Sequence, residues 1–384
     1  MSVQSSTLAP FGISPDTGFL PASDPLTRLP AYFRAWDDLG AQLPALLLAG
    51  QARAAIARLP ELEIERLEGE AERERALLLL STFVSAYVWG MPAPAERIPR
   101  PLAVPLCRLA DQMGRKPIIH HAANVLHNWR RLDPARPIQL DNLAMLQGFL
   151  TSSDEAWFIL VTVEVEIAGA SAPTELLDAQ EAAERKNSTA LAESLERLSA
   201  TIGRMEAALR RMYEQCAPYI FYHRVRPFFA SWNPPGVIYE GVSARPRVYA
   251  GGSAGQSALV QSLDAALGVR HEAAASRPFI QEMREYMPPL HRRFVEELEN
   301  GPDLRAYVIA HETDTPRLMD RYNACIAALD QFRYLHLKIA VEYISQQAPP
   351  GAEGKGTGGT DLRAFLGAVK KETRARHLPS ERTS

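Results

Sequence analysis

An all-α fold in two helical domains is predicted by three observations. Apolar residues recur at three- and four-residue spacing through most of the chain beyond residue 30. Proline interrupts these stretches at 91–101, at 134–137 and at 349–350, where helices are expected to stop. Only one run, Trp157 to Ile167, has the β-branched content of a strand, and no second such run exists to pair with it. The chain has 384 residues, which at roughly 150 per domain allows two or three units. The division expected is a small N-terminal helical domain, 1–145, and a large one, 146–384.

The elements follow in order. Residues 1–30, rich in Ser, Pro and Gly, are expected to wrap the surface without regular structure. Tyr32 to Trp89 is helical, and its part from Ala76 to Trp89 is the most apolar stretch. That stretch is too short to cross a bilayer and contains Ser81, Thr82 and Ser85, so it is expected to be a buried helix. Helices are predicted near 103–114 and 118–130. Trp157–Ile167 is assigned to helix despite its Val/Glu alternation, because its flanks carry no turn signals. A long amphipathic helix is expected over 187–214, capped by Asn187 or Ser188. Shorter ones follow at 256–267, 274–285, 288–299, 303–312 and 361–375. The clearest late helix has Thr315 as N-cap and Pro316 at its first position, and runs to Pro349-Pro350-Gly351.

Composition excludes several function classes. Hydrophobic residues make up 46% and charged residues 23%, the balance of a folded soluble protein. Lys and Arg number 42 against 45 Asp and Glu, a net charge of −3, which supplies no basic field for nucleic acid or anionic lipid. The three cysteines, Cys107, Cys216 and Cys325, form no CxxC, so a reducing cytoplasm is expected and a disulfide scaffold is not. The N-terminus has no apolar core of a signal peptide.

Nine histidines are available for metal chemistry, but no HExxH occurs. His120 and His121 are neighbours, about 100° apart on a helix, and cannot chelate one ion together. His336 is different: it lies on the stripe Leu329, Phe332, His336, Ala340, Tyr343. It is either a hydrogen-bonded core imidazole or a single axial ligand to haem iron. Arg333, one turn earlier, is either a snorkelled surface arginine or a cation meeting a carboxylate at a cofactor edge. Gly354 to Gly359 matches GxGxxG but follows a helix and Pro-Pro, so a dinucleotide fingerprint is rejected. Ala250 to Ser257 has the small residues that let backbone approach a flat ligand, or is a flexible loop. In the aromatic block Phe221 to Trp232, Arg226 is either a salt-bridged helix end or a clamp for a substrate carboxylate.

Taken in order, these segments resemble the indoleamine 2,3-dioxygenase family of haem enzymes. The matching pieces are Val125-Leu-His-Asn-Trp129, Val165-Glu-Ile-Ala168, the Phe221/Arg226 block, Tyr239-Glu-Gly-Val with Gly251 to Ser257, Arg333-Tyr-Leu-His336 with Tyr343-Ile, and Gly356-Thr-Gly-Gly-Thr-Asp-Leu362. The resemblance implies a cytoplasmic, monomeric, all-helical enzyme. It would bind haem b, take O2 as co-substrate, and cleave the indole 2,3 bond of L-tryptophan to N-formylkynurenine, with an electron donor keeping the iron ferrous. It implies His336 as proximal iron ligand and Arg333 as a haem-propionate contact. Phe158 and Thr162 fall on the distal helix, Phe221 at the indole wall and Arg226 at the carboxylate. Ser253 and Ala254 fall along the distal pocket, and Thr357 in a loop over the substrate. The sequence departs from the family where His121 replaces a frequent tyrosine and Thr162 a distal serine. Two other outcomes are kept: a relative acting on another indole, such as a halogenated tryptophan, and a haem-binding helical protein without turnover.

Overall fold

The computed structural model describes residues 8–311, 316–349, 356–357 and 361–379. The expected cap Thr315, the stop at Pro350-Gly351 and the flanks of the second glycine stretch (354–355 and 358–360) lie outside the described residues. The fold is all-α with a few short strands.

In the first part, α1 (Arg34–Leu48), α2 (Ala52–Ile56) and α3 (Gly69–Trp89) are followed by α4 (Arg100–Gln112). Every residue of α3 from Glu74 to Ala86 is buried, which is why its apolar run shows no polar face. The acidic residues Glu70 and Glu72 occupy its first turn, where the helix dipole favours them. Residues 8–30 do not merely wrap the surface as expected. Leu8, Ile13, Phe19, Leu20 and Leu29 are buried, and Phe11 and Phe19 pack edge-on against Phe294 at 5.2 and 5.9 Å. Their regular structure is limited to a 3-10 turn at Ala9–Phe11 and a bridge between Ser14 and Gly18, but their apolar side chains fill the core.

The expected helix at 118–130 is not α-helix. A π turn spans Ala122–Leu126, and a strand, β2 (Trp129–Arg131), pairs with β3 (Leu143–Met145). The cause is Asn128, whose amide donates to Gln147 O at 2.8 Å while its Oδ1 accepts from Gln147 N at 2.8 Å. A second small sheet was also not anticipated: β1 (Arg97–Ile98) runs parallel to β4 (Trp232–Tyr239), which pairs antiparallel with β5 (Arg247–Tyr249).

The later helices carry the larger share of the core. They are α5 (Ser153–Ala168), α6 (Ala172–Glu184), α7 (Ser188–Arg210), α8 (Ala258–Ala266), α9 (Arg277–Arg284), α10 (Pro289–Asn300), α11 (Leu304–Ala310), α12 (Pro316–Ala340) and α13 (Leu362–Arg374). The strand-like run is helical, as its flanks predicted: Ser152 caps α5 by accepting from Asp154 N at 3.1 Å. In α7 the buried Leu191, Leu195, Leu198, Ile202, Met205 and Leu209 keep a strict three/four spacing. That stripe faces α12, and α5 and α6 pack on the same helix, so α7 separates the two helices that matter for the site. The α5–α6 stretch, Ser153–Glu184, is long and apolar enough to cross a bilayer by composition; 56% of its apolar window is buried in the helical packing.

Candidate functional site

The proximal side is built on α12. Leu329, Phe332, Ala340 and Tyr343 are buried, so His336 emerges from an apolar face as its periodicity requires. Its ring is partly accessible and makes no hydrogen bond among the described residues. Burial, helped by the nearby Arg333 charge, pushes its pKa down to about 4. The ring is therefore neutral at physiological pH, with a free lone pair. Arg333, one turn earlier, is buried against the chain itself: its Nη2 meets the Asp264 carboxylate of α8, and its Nη1 meets the Thr373 hydroxyl of α13.

The opposite side is built on α5, where Phe158, Thr162 and Glu166 follow each other at four-residue spacing. The Phe158 ring lies 4.6 Å from Phe221 and 6.0 Å from Phe229, centroid to centroid. Phe221 also meets Tyr343 at 6.0 Å, which links the α5 wall to the continuation of the His336 helix. The Thr162 hydroxyl donates to its own helix at Phe158 O, 3.0 Å away. Glu166 is buried, and its Oε1 accepts from Ser257 Oγ at 2.8 Å and lies 2.9 Å from His121 Nε2. His121, the departure noted in the sequence, is thus tied to this stripe as an N–H donor.

Thr357, from the second glycine-rich stretch, meets the first. Thr357 Oγ1 donates to Gly252 O at 2.7 Å, and the Ser231 hydroxyl donates to Thr357 O while accepting from Gly251 N at 3.1 Å. Gly251 has to be glycine here: a Cβ would stand 2.0 Å from Phe229 O. Ser253 caps a single turn, accepting from Gly255 N at 3.2 Å, and Gln256 completes a capping box. Ala254, the first residue of that turn, is exposed. Gln256 also accepts from His121 N at 2.9 Å and donates to Gly251 O at 2.9 Å, so loop and distal helix share one polar network. Arg226 is partly buried, its guanidinium 5.2 Å over the Tyr222 ring; burial lowers its pKa from the usual arginine value, opposed by Tyr222.

The arrangement offers a neutral imidazole on one helix, an aromatic wall carried by another, a cation among aromatics, and a small-residue loop. A porphyrin fits this donor chemistry, because an axial ligand must be a neutral imidazole with one ring nitrogen left to the iron, and no side chain among the described residues occupies either nitrogen of His336. Sequence reasoning missed Glu166, Ser231, Gln256 and Asp264. Glu166 was reachable, being the next step of the Phe158–Thr162 spacing. The other three act across sequence distances that leave no local pattern.

A family model described as "Indoleamine 2,3-dioxygenase" matches residues 7–376. Indoleamine 2,3-dioxygenase 1 of Rattus norvegicus is 36% identical, covering 96% of this chain and 95% of its own length. Indoleamine 2,3-dioxygenase 2 of Homo sapiens is 35% identical, covering 96% and 94%. A protein named myoglobin in Haliotis madaka is 32% identical, covering 95% and 97%.

Proposed function

The chain belongs to the indoleamine 2,3-dioxygenase family, and from that membership we propose that it is a haem-dependent dioxygenase inserting O2 across the indole 2,3 bond of L-tryptophan to give N-formylkynurenine. The observation that carries the reading is His336: a neutral imidazole, unpartnered among the described residues, on an otherwise apolar helix face.

His336 would hold the iron of haem b, and the haem, when bound, supplies the activation of dioxygen. The protein's own contribution is positioning. Phe158 and Phe221 form a wall for an indole ring, and Arg226, with its planar fork, suits the amino-acid carboxylate. Holding two reactants in near-attack geometry lowers a barrier by roughly 7–11 kcal/mol. Among the described residues no general base stands out on the wall: the Thr162 hydroxyl is spent on Phe158 O, and Glu166 accepts from Ser257 and faces His121. Deprotonation of the indole is therefore not part of the proposal. The reading carries with it a monomeric cytoplasmic enzyme supplied by an electron donor.

The test is an absorption spectrum of the haem-supplemented protein, followed by an assay for N-formylkynurenine with L-tryptophan and a reductant. Arg226→Ala is expected to raise KM sharply while the haem spectrum stays intact. An unchanged KM removes the clamp role; a protein that takes up no haem removes the whole reading. The relative named myoglobin favours one second reading, a haem protein without turnover. It predicts a Soret band and no oxygen-dependent consumption of any indole.

A further inference from the structure

Behind the His336 helix lies a buried ionic network that the proposed function does not use. The His271 ring stands between two carboxylates, its Nε2 3.1 Å from Asp264 Oδ2 and its Nδ1 2.9 Å from Glu372 Oε2. A carboxylate only accepts, so filling both contacts requires two N–H groups, that is, an imidazolium. Asp264 in turn holds Arg333, whose other terminal nitrogen meets Thr373, the residue beside Glu372 on α13. Glu372 Oε1 accepts from the backbone of Glu272 at 2.9 Å and Ala273 at 2.8 Å. The Ser276 hydroxyl donates to the same carboxylate at 3.0 Å.

The placement matters more than the number of bonds. Asp264 lies on α8, which follows the Gly251–Ser257 loop; Glu372 lies on α13, which follows the Thr357 stretch; Arg333 lies on α12, one turn before His336. One imidazolium and one guanidinium balance two carboxylates, and the four side chains are between 7% and 14% exposed. Loss of the His271 proton would leave one negative charge uncompensated in that space. A small cavity beside the ring is lined by Arg277, Arg284 and Glu299, and Arg284 already pairs with Glu299 and Gln261.

We propose that His271, clamped as an imidazolium between Asp264 and Glu372, is a positioning residue that fixes Arg333 and α13 against α12 and so sets the register of His336 for the haem. The inference rests on the reading that His336 ligates the iron. Burial works against the charged ring, but its bonds to Asp264 and Glu372 outweigh burial and the repulsion of Arg333, and hold its pKa above the ordinary imidazole value. The clamp is thus complete below that ordinary value and is lost as pH rises through the raised one.

The experiment measures haem loss from the full-length ferric holoprotein to excess apomyoglobin, between about pH 6 and about pH 9, with folding followed by circular dichroism. Wild type is expected to lose haem faster as pH rises. His271→Gln is expected to lose it about tenfold faster at the acid end, as for other residues that orient a metal ligand, and to flatten the pH dependence. Adding Glu372→Gln removes the uncompensated carboxylate and should recover most of the wild-type retention at the acid end. If His271→Gln does not fold, the double variant carries the test: a flat profile supports the clamp, and a wild-type pH dependence overturns it. A folded His271→Gln whose haem loss matches wild type within about twofold at every pH overturns this inference alone. A wild type that binds no haem overturns the iron-ligand reading and this inference with it.

Discussion

Ser231→Ala is the sharpest test of how the two glycine-rich stretches are held together. The hydroxyl is buried, accepts from Gly251 N at 3.1 Å and donates to Thr357 O. Its removal leaves the Gly251 N–H buried without an acceptor, which costs about 1–3 kcal/mol. The Thr357 carbonyl belongs to a partly accessible residue and can turn to solvent, so its loss adds little. Thr357→Val is the milder control: it keeps the shape and removes only the bond to Gly252 O, worth about 0.5–1.5 kcal/mol.

If these ties orient the loop against substrate in ground state and transition state alike, the loss appears in KM with kcat kept. At one decade per 1.4 kcal/mol, Ser231→Ala should raise KM for L-tryptophan about 5- to 150-fold, and Thr357→Val by about 2- to 12-fold. Steady-state kinetics beside urea unfolding of both variants decide it. A Ser231→Ala protein with wild-type KM and reduced unfolding free energy would show that the hydroxyl serves the fold and not the site. The reverse order of the two variants would refute the burial argument itself.

Three other outcomes follow from the geometry. His336→Ala should abolish the proximal-histidine haem spectrum yet leave the apoprotein folded by circular dichroism, since the ring holds no hydrogen bond among the described residues; added imidazole should restore the band. Glu166→Gln keeps an oxygen for both His121 and Ser257, whereas Glu166→Leu strands those two buried donors at about 1–3 kcal/mol each, so urea unfolding should separate the variants clearly. Burial raises the Glu155 pKa from 4.5 to about 7 against the backbone bonds from Phe149 and Leu150. The folded state then holds a proton that the unfolded state releases, and stability falls as pH rises from 4.5 to about 7. Unfolding at the two ends of that window, compared with Glu155→Gln, should show the decline in wild type and its absence in the variant.

What the sequence made legible is what local periodicity encodes. The His336 stripe and the α7 face were readable because a 3.6-residue period puts apolar positions on one side whatever the partner is. The Trp157–Ile167 run was readable only by weighing propensity against context: β-branched residues gain from a strand when there is one to pair with, and the sequence shows no second run of that kind. Misread segments share one cause. Residues 118–130 have a helical pattern, but Asn128 and Gln147, nineteen positions apart, trade hydrogen bonds and turn the chain into a strand. The Pro234-Pro235-Gly236 stretch has the composition of a turn, yet it lies inside β4, where Pro costs only the donor it lacks. Arg333 shows the limit most clearly, since Asp264, the group that fixes its role, stands 69 residues away.

The backbone adds one feature that no pattern announced, and it bears on where the site is. Among the described residues, π turns occur at Ala122–Leu126, Phe221–Val225 and Val341–Ser345. The first begins directly after His121, the second opens on Phe221, and the third contains Tyr343. A π turn inserts one extra residue and re-aims the side chains beyond it, and such turns concentrate at functional sites. Here the rings at these turns are ones that meet the α5 stripe: Phe221 touches both Phe158 and Tyr343, and His121 faces Glu166. Three departures from α geometry, far apart in sequence, thus converge on the wall that α5 presents. Their convergence on one stripe, rather than scatter over the surface, agrees with a site on that wall.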